Sequence, residues 1–101
     1  MNFGTISPRE IDSSLFKPDY ILIDIRSPRD FRRRHIKGAV CIPYENLQDR
    51  VYLLRRKTLI LYCERGSTSM KAARELAEAG YRVLTFVGGI QSYKGRNLEQ
   101  Y

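Results

Sequence analysis

Cys63 is followed at once by Glu64-Arg65-Gly66 and by three hydroxyl residues, Ser67-Thr68-Ser69. A thiol beside a cation, a glycine and hydroxyls is suited to nucleophilic work, provided the chain places it where its anion is stabilised. The flanking residues supply that placement. Leu59-Ile60-Leu61-Tyr62 is an apolar run bounded by Lys57-Thr58, which reads as a buried strand of a parallel sheet. From Ser67 to Ala79 the period becomes helical, with Met70, Ala73, Leu76, Ala77 and Gly80 on one face and Lys71, Arg74, Glu75 and Glu78 on the other.

The resulting unit is strand, cysteine loop, helix. Unpaired N–H groups and the positive end of the dipole at a helix start both favour a thiolate. Arg65 adds positive charge, and Gly66 allows consecutive amides to turn toward one anion. Ser67, Thr68 and Ser69 are expected to cap the helix or donate hydroxyls. A free Cys at the end of a core strand often serves only as a small hydrophobe. The arginine, glycine and hydroxyls crowded behind Cys63 favour the reactive reading over that one.

The remaining elements must hold this unit in place. Ser7-Pro8-Arg9-Glu10 has the pattern of a capping box and starts a helix to about Leu15. Tyr20 to Ile25 is a near-continuous apolar run, a second core strand, and Ser27-Pro28-Arg29-Asp30 starts a short basic helix through about Arg34. Ala39 to Ile42 is a short strand stopped by Pro43, and Glu45 to Leu54 is expected to be helical with Leu47, Val51 and Leu54 inward. Gly80 closes the cysteine-loop helix, Arg82 to Val87 makes another strand, and Gly88-Gly89 turns. Ile90 to about Leu98 reads as a last helix, followed by a polar end expected to fray. Alternating strands and helices specify an α/β sandwich with a mainly parallel sheet and helices on both faces. In such sheets ligands bind at the carboxyl edge, where Cys63 falls.

A chain of 101 residues, 43% hydrophobic and 29% charged, suits one domain over 1–101. The start has neither a signal-peptide pattern nor a membrane-length apolar run, so a cytoplasmic protein without a membrane partner is expected. Cys41, Cys63 and the single His35 have no metal-ligand or disulfide spacing, so neither metal nor cofactor is expected. The net charge of +7 is concentrated in Arg26 to Lys37 and Arg50 to Lys57. Such runs usually mark a solvated face, and the alternative is attraction of small anions, acidic proteins or nucleic acid.

Leu22-Ile23-Asp24-Ile25-Arg26-Ser27, with Phe31, His35-Ile36, Gly38-Ala39 and Ile42-Pro43, resembles the first signature of the rhodanese-like sulfurtransferases, in particular the small single-domain members. Tyr62 to Ser69 resembles that family's active-site loop, and Gly80-Tyr81 with Val87-Gly88-Gly89 resembles its ending. The likeness spans nearly the whole chain. Tyr93 stands where the family has Trp, and Cys41 where it often has Asn or His, differences expected to affect packing.

The resemblance implies a five-stranded parallel sheet flanked by helices, with the catalytic Cys63 after the fourth strand. It implies that a Cys63 persulfide carries sulfur from a small anionic donor such as thiosulfate to a thiol, a protein or cyanide. Glu64, Arg65, Gly66, Ser67, Thr68 and Ser69 would then bind substrate, the amides of Glu64 to Thr68 holding the persulfide and Glu64 pointing outward to tune partner choice. Nucleic acid is not expected as a direct partner, and a monomer is expected. Asp24, Arg26 and His35 read as scaffold, and Cys41 as packing only. A non-catalytic docking module of the same fold is the main alternative. A Cys-dependent phosphatase is less favoured, since Ser69 stands where that class needs Arg, and Gly66-Ser67 lacks the lysine and spaced glycine of a nucleotide-binding loop.

Overall fold

The structure is a computed structural model in which residues 3–14 and 17–101 are described. Five strands form a parallel sheet: β1 (Gly4–Ile6), β2 (Tyr20–Asp24), β4 (Val40–Cys41), β5 (Thr58–Tyr62) and β6 (Val83–Phe86), in the order β1-β6-β5-β2-β4. A separate antiparallel pair joins β3 (His35–Ile36) to β7 (Leu98–Glu99). The helices are α1 (Pro8–Ser14), α2 (Pro28–Arg33), α3 (Leu47–Arg50) and α4 (Ser67–Glu78).

Strand alternation builds two cores. Ile23, Leu59, Leu61, Cys63 and Val83 face one side, where α3 and α4 cover them with Leu47, Ala72, Ala73, Leu76 and Ala77. Leu22, Ile60, Tyr62 and Phe86 face the other, against Ile11 of α1, Ile90 and Tyr93. Strands buried on both faces are mostly apolar, which is why β2 before Asp24 and β5 after Thr58 read as near-continuous hydrophobic runs. The register pairs Asp24 with Tyr62 and with Cys41, so the loops after β2, β4 and β5 leave the sheet side by side.

Both capping patterns at helix starts are realised. The Ser7 amide donates to Glu10 Oε1 at 3.0 Å while the Glu10 amide donates to Ser7 Oγ, and Ser27 Oγ accepts from the Asp30 amide at 3.2 Å. The expected end of α1 near Leu15 lies outside the described residues.

Three expectations need correction, and one strand was not foreseen. Gly4–Ile6, to which the sequence assigned no element, is an edge strand on β6, too short to show any alternation in sequence. The Glu45–Leu54 helix is a single α-turn, Leu47–Arg50, between 3-10 turns at Tyr44–Asn46 and Val51–Leu54, though Leu47 and Val51 are buried as expected. Ile90–Leu98 is not a helix: after a 3-10 turn at Ile90–Ser92 the backbone of Tyr93 is extended, and Gly95 sits so close to the Tyr93 phenol that no Cβ would fit. The polar end is pinned, with Leu98 paired to Ile36 and the Tyr101 amide donating to the Arg32 carbonyl at 2.8 Å.

Candidate active site

Cys63 follows β5 directly and is buried, 6% exposed. The chain then turns through Gly66, whose φ of 107° is a left-handed conformation that side chains disfavour, and enters α4. This turn aims two backbone N–H groups at the sulfur: Gly66 N lies 3.1 Å and Ser69 N 3.3 Å from Cys63 Sγ. The cradle is therefore the first turn of α4, where amides have no helical partner.

Of the two roles expected of the hydroxyls, capping or donation, only donation is seen, at Ser69. Gly66 is the N-cap residue, with no side-chain cap bond. Ser69 is buried on the inner face of α4, and its Oγ donates to the Gly66 carbonyl at 3.0 Å and meets Thr85 Oγ1 at 2.7 Å. Met70, expected inward, is 46% exposed, because the buried stripe runs through Ser69, Ala72, Ala73, Leu76 and Ala77. Ser67 and Thr68 are exposed and line the cleft over Cys63 with Ile25, Arg26, Asp30, Glu64 and Arg65. That cleft encloses about 370 Å³.

Behind the loop, the Gly88-Gly89 turn after β6 acts as a clamp. The Ile90 amide donates to the Cys63 carbonyl at 2.9 Å, and the Gln91 amide to the Glu64 carbonyl at 3.2 Å. A Cβ on Gly89 would collide with the Glu64 carbonyl, and one on Gly66 would stand 3.1 Å from Gly88 N. The two glycine segments approach too closely for side chains on either.

Arg26 ties the loops together at one side of the cleft. It forms a bidentate pair with fully buried Asp24, Nε to Oδ1 at 3.0 Å and Nη2 to Oδ2 at 2.7 Å. Its Nη1 reaches Glu64 Oε1 at 2.9 Å, and Nη2 also donates to the Arg34 carbonyl at the end of α2. Burial works against the Arg26 charge, but hydrogen bonding to Asp24, with its negative charge, outweighs it and holds the guanidinium protonated. Burial likewise raises the Glu64 pKa, yet Arg26 and Gln91 hold the carboxylate below its usual range. Glu64 is thus not a free outward charge: it is the link between the β2 loop and the Cys63 loop.

Arg65 is exposed at the cleft wall. Cys41 and Cys63 are both free; Cys41 is half-buried, its Sγ 3.8 Å from the Arg26 carbonyl, and burial followed by the charge of Asp24 raises its pKa. His35 is buried within β3, stacked on Phe31 at 3.8 Å with Nδ1 2.8 Å from the Phe31 carbonyl, and it does not line the cleft. Tyr93 donates its phenol to Asp12 at 2.6 Å and joins α1 to the chain after β6. Thr85 was missed by sequence reasoning; its only signal is a hydroxyl residue inside the otherwise apolar run Val83 to Val87.

A parallel α/β sheet with a cysteine cradled by helix-start amides at its carboxyl edge narrows the chain to a small class of folds. The family model for the rhodanese-like domain matches residues 7–96, and the chain belongs to that family. It is 26% identical over 99 residues to the thiosulfate sulfurtransferase GlpE of Coxiella burnetii, covering 96% of this chain and 92% of that protein. It is 31% identical over 72 residues to the thiosulfate sulfurtransferase PspE of Escherichia coli, 68% of this chain and 69% of that one. A 35% identical stretch of 85 residues in a tRNA sulfurtransferase of Desulfurococcus amylolyticus covers 84% of this chain but only 17% of that longer protein. A second relative, from Synechocystis, is matched over 54% of its length. Among solved structures, a rhodanese-related protein from Thermoplasma volcanium superposes with a TM-score of 0.87 at 24% identity, over 98% of this chain and 100% of that one, and shares the fold. No helix among the described residues is long and apolar enough to cross a membrane.

Proposed function

We propose that the protein is a sulfurtransferase in which Cys63 carries sulfane sulfur as a persulfide. The observation that carries this reading is the pair of amides, Gly66 N and Ser69 N, already within hydrogen-bonding distance of Cys63 Sγ. Two relatives named thiosulfate sulfurtransferases support the choice of donor. The Cys63 thiolate attacks the outer sulfur of thiosulfate, the S–S bond breaks, and sulfite departs with the bonding pair. The product is a persulfide anion whose charge sits on the outer sulfur, beside the same helix start that favoured the thiolate. A thiolate or cyanide then attacks the terminal sulfur and Cys63 leaves as thiolate.

The loop's other residues fit supporting roles. Arg65 at the mouth attracts the dianionic donor, while Ser67 and Thr68 offer hydroxyls along its path. Ser69 turns its side chain inward to the backbone and Thr85, so the position that would need a guanidinium for phosphate chemistry is spent on holding the loop. Steady-state production of thiocyanate from thiosulfate and cyanide tests the reading. The wild type should turn over and Cys63→Ser should not, with unchanged circular dichroism; comparable turnover by the serine variant would refute it.

A further inference from the structure

The cleft over Cys63 does not end at Arg65. It continues into a groove of about 570 Å³ lined by Arg26, Asp30, Arg33, Arg34 and Glu64, three of which also line the Cys63 cleft. Thiosulfate fills only a small part of this space. Arg26 and Glu64 are committed to each other, and Asp30 lies 3.5 Å from Arg33 across an exposed pair that water screens. The guanidiniums of Arg34 and Arg65 make no ion pair among the described residues. Arg29 and Arg32 of α2 are exposed as well.

We propose that this groove is the docking surface for an acidic segment of a partner protein, which brings its sulfur-accepting thiol to Cys63. The proposal rests on the sulfurtransfer reading for its purpose and names the acceptor class for that same site. The partner's thiolate attacks the outer persulfide sulfur, the S–S bond to Cys63 breaks, Cys63 leaves as thiolate, and the partner carries the persulfide away. A polypeptide fits the groove better than a nucleic acid does. No lining residue is aromatic, so the bases of a single strand find no stacking platform. A peptide can set carboxylates on Arg33 and Arg34 while turning backbone N–H groups to Asp30. Charges at such a rim govern encounter rate and partner choice more than the chemical step.

Fluorescence anisotropy with the full chain tests the surface without using the chemistry. The probe is a labelled peptide with one serine flanked by aspartates and glutamates, compared with a twin carrying asparagine and glutamine and with a uridine oligonucleotide of equal charge. The acidic peptide should bind roughly tenfold or more tighter than its twin, the difference shrinking as salt rises. Arg33→Glu with Arg34→Glu should erase the preference and Arg33→Lys with Arg34→Lys should largely keep it. Equal binding of the two peptides, persistence of the preference in the charge-reversed variant, or tighter binding of the oligonucleotide would each overturn the proposal. A wild type that binds the acidic peptide yet forms no persulfide would sink the transfer reading and leave the docking surface standing; a persulfide-forming wild type without the preference would do the reverse.

Discussion

Thr85 Oγ1 lies 2.7 Å from Ser69 Oγ, and both residues are fully buried. The Ser69 hydroxyl has one proton, which goes to the Gly66 carbonyl, so Thr85 is the donor in the pair. This chain of hydroxyls joins β6 to the loop whose Gly66 and Ser69 amides face the sulfur. Thr85→Val keeps the shape and removes the donor, and should destabilise the fold by roughly 1 to 3 kcal/mol. Ser69→Ala should cost a similar amount, and the double variant less than the sum, since the two share one interaction. Urea unfolding of the four proteins checks this; strictly additive losses would mean the hydroxyls act independently.

Gly89 adopts φ 68° and ψ −170°, a region open essentially to glycine alone, with the Glu64 carbonyl where a Cβ would be. Gly89→Ala should therefore push the Cys63 loop away from β6 and slow persulfide formation at temperatures where the variant is still folded. Single-turnover sulfite release, paired with a thermal melt, separates this effect from simple instability. A variant that melts earlier but reacts at the wild-type rate would show that the clamp does not position the loop.

The fold was largely legible because β2 and β5 are buried on both faces and so are mostly apolar, and because Ser7 and Ser27 announce their helices. The elements that were missed or misread depend on tertiary contacts. Gly4–Ile6 is a strand only because β6 offers it an edge, and Leu98–Glu99 only because β3 does. In the candidate site the position of Cys63 followed from strand and helix periodicity. The inward turn of Ser69 did not, because one residue of helical phase separates it from Met70. Nor did the Arg26–Glu64 link, which spans 38 positions and exists because β2 and β5 are neighbours in register.

Arg65 is exposed beside the cleft, so water and salt weaken its pull on an anion. Arg65→Ala should lower kcat/KM for thiosulfate by roughly five- to tenfold, corresponding to a charge-assisted contact of about 1 kcal/mol. The loss should fall mainly on KM and fade at high salt. A loss confined to kcat would place Arg65 in the chemical step instead of donor capture.

Glu64 has a pKa lowered in the folded protein by Arg26 and Gln91 against the opposing effect of burial. A depressed carboxylate pKa means that its stabilising contribution is complete above the ordinary carboxylate value and is lost as pH falls through the folded one. Wild type should exceed Glu64→Gln in stability at neutral pH, with the gap narrowing below about pH 4.3 as the carboxylate protonates. Denaturation curves across this range check the sign; a gap that widens in acid would contradict the Arg26–Glu64 link.

Intact-protein mass spectrometry after brief exposure to thiosulfate tests the central claim most directly. The wild type and Cys41→Ala should each gain the mass of one sulfur atom with release of one equivalent of sulfite, and peptide mapping should place the sulfur on Cys63. Cys63→Ser should gain nothing. Absence of the added sulfur from folded wild type, or its appearance on Cys41, would contradict the account.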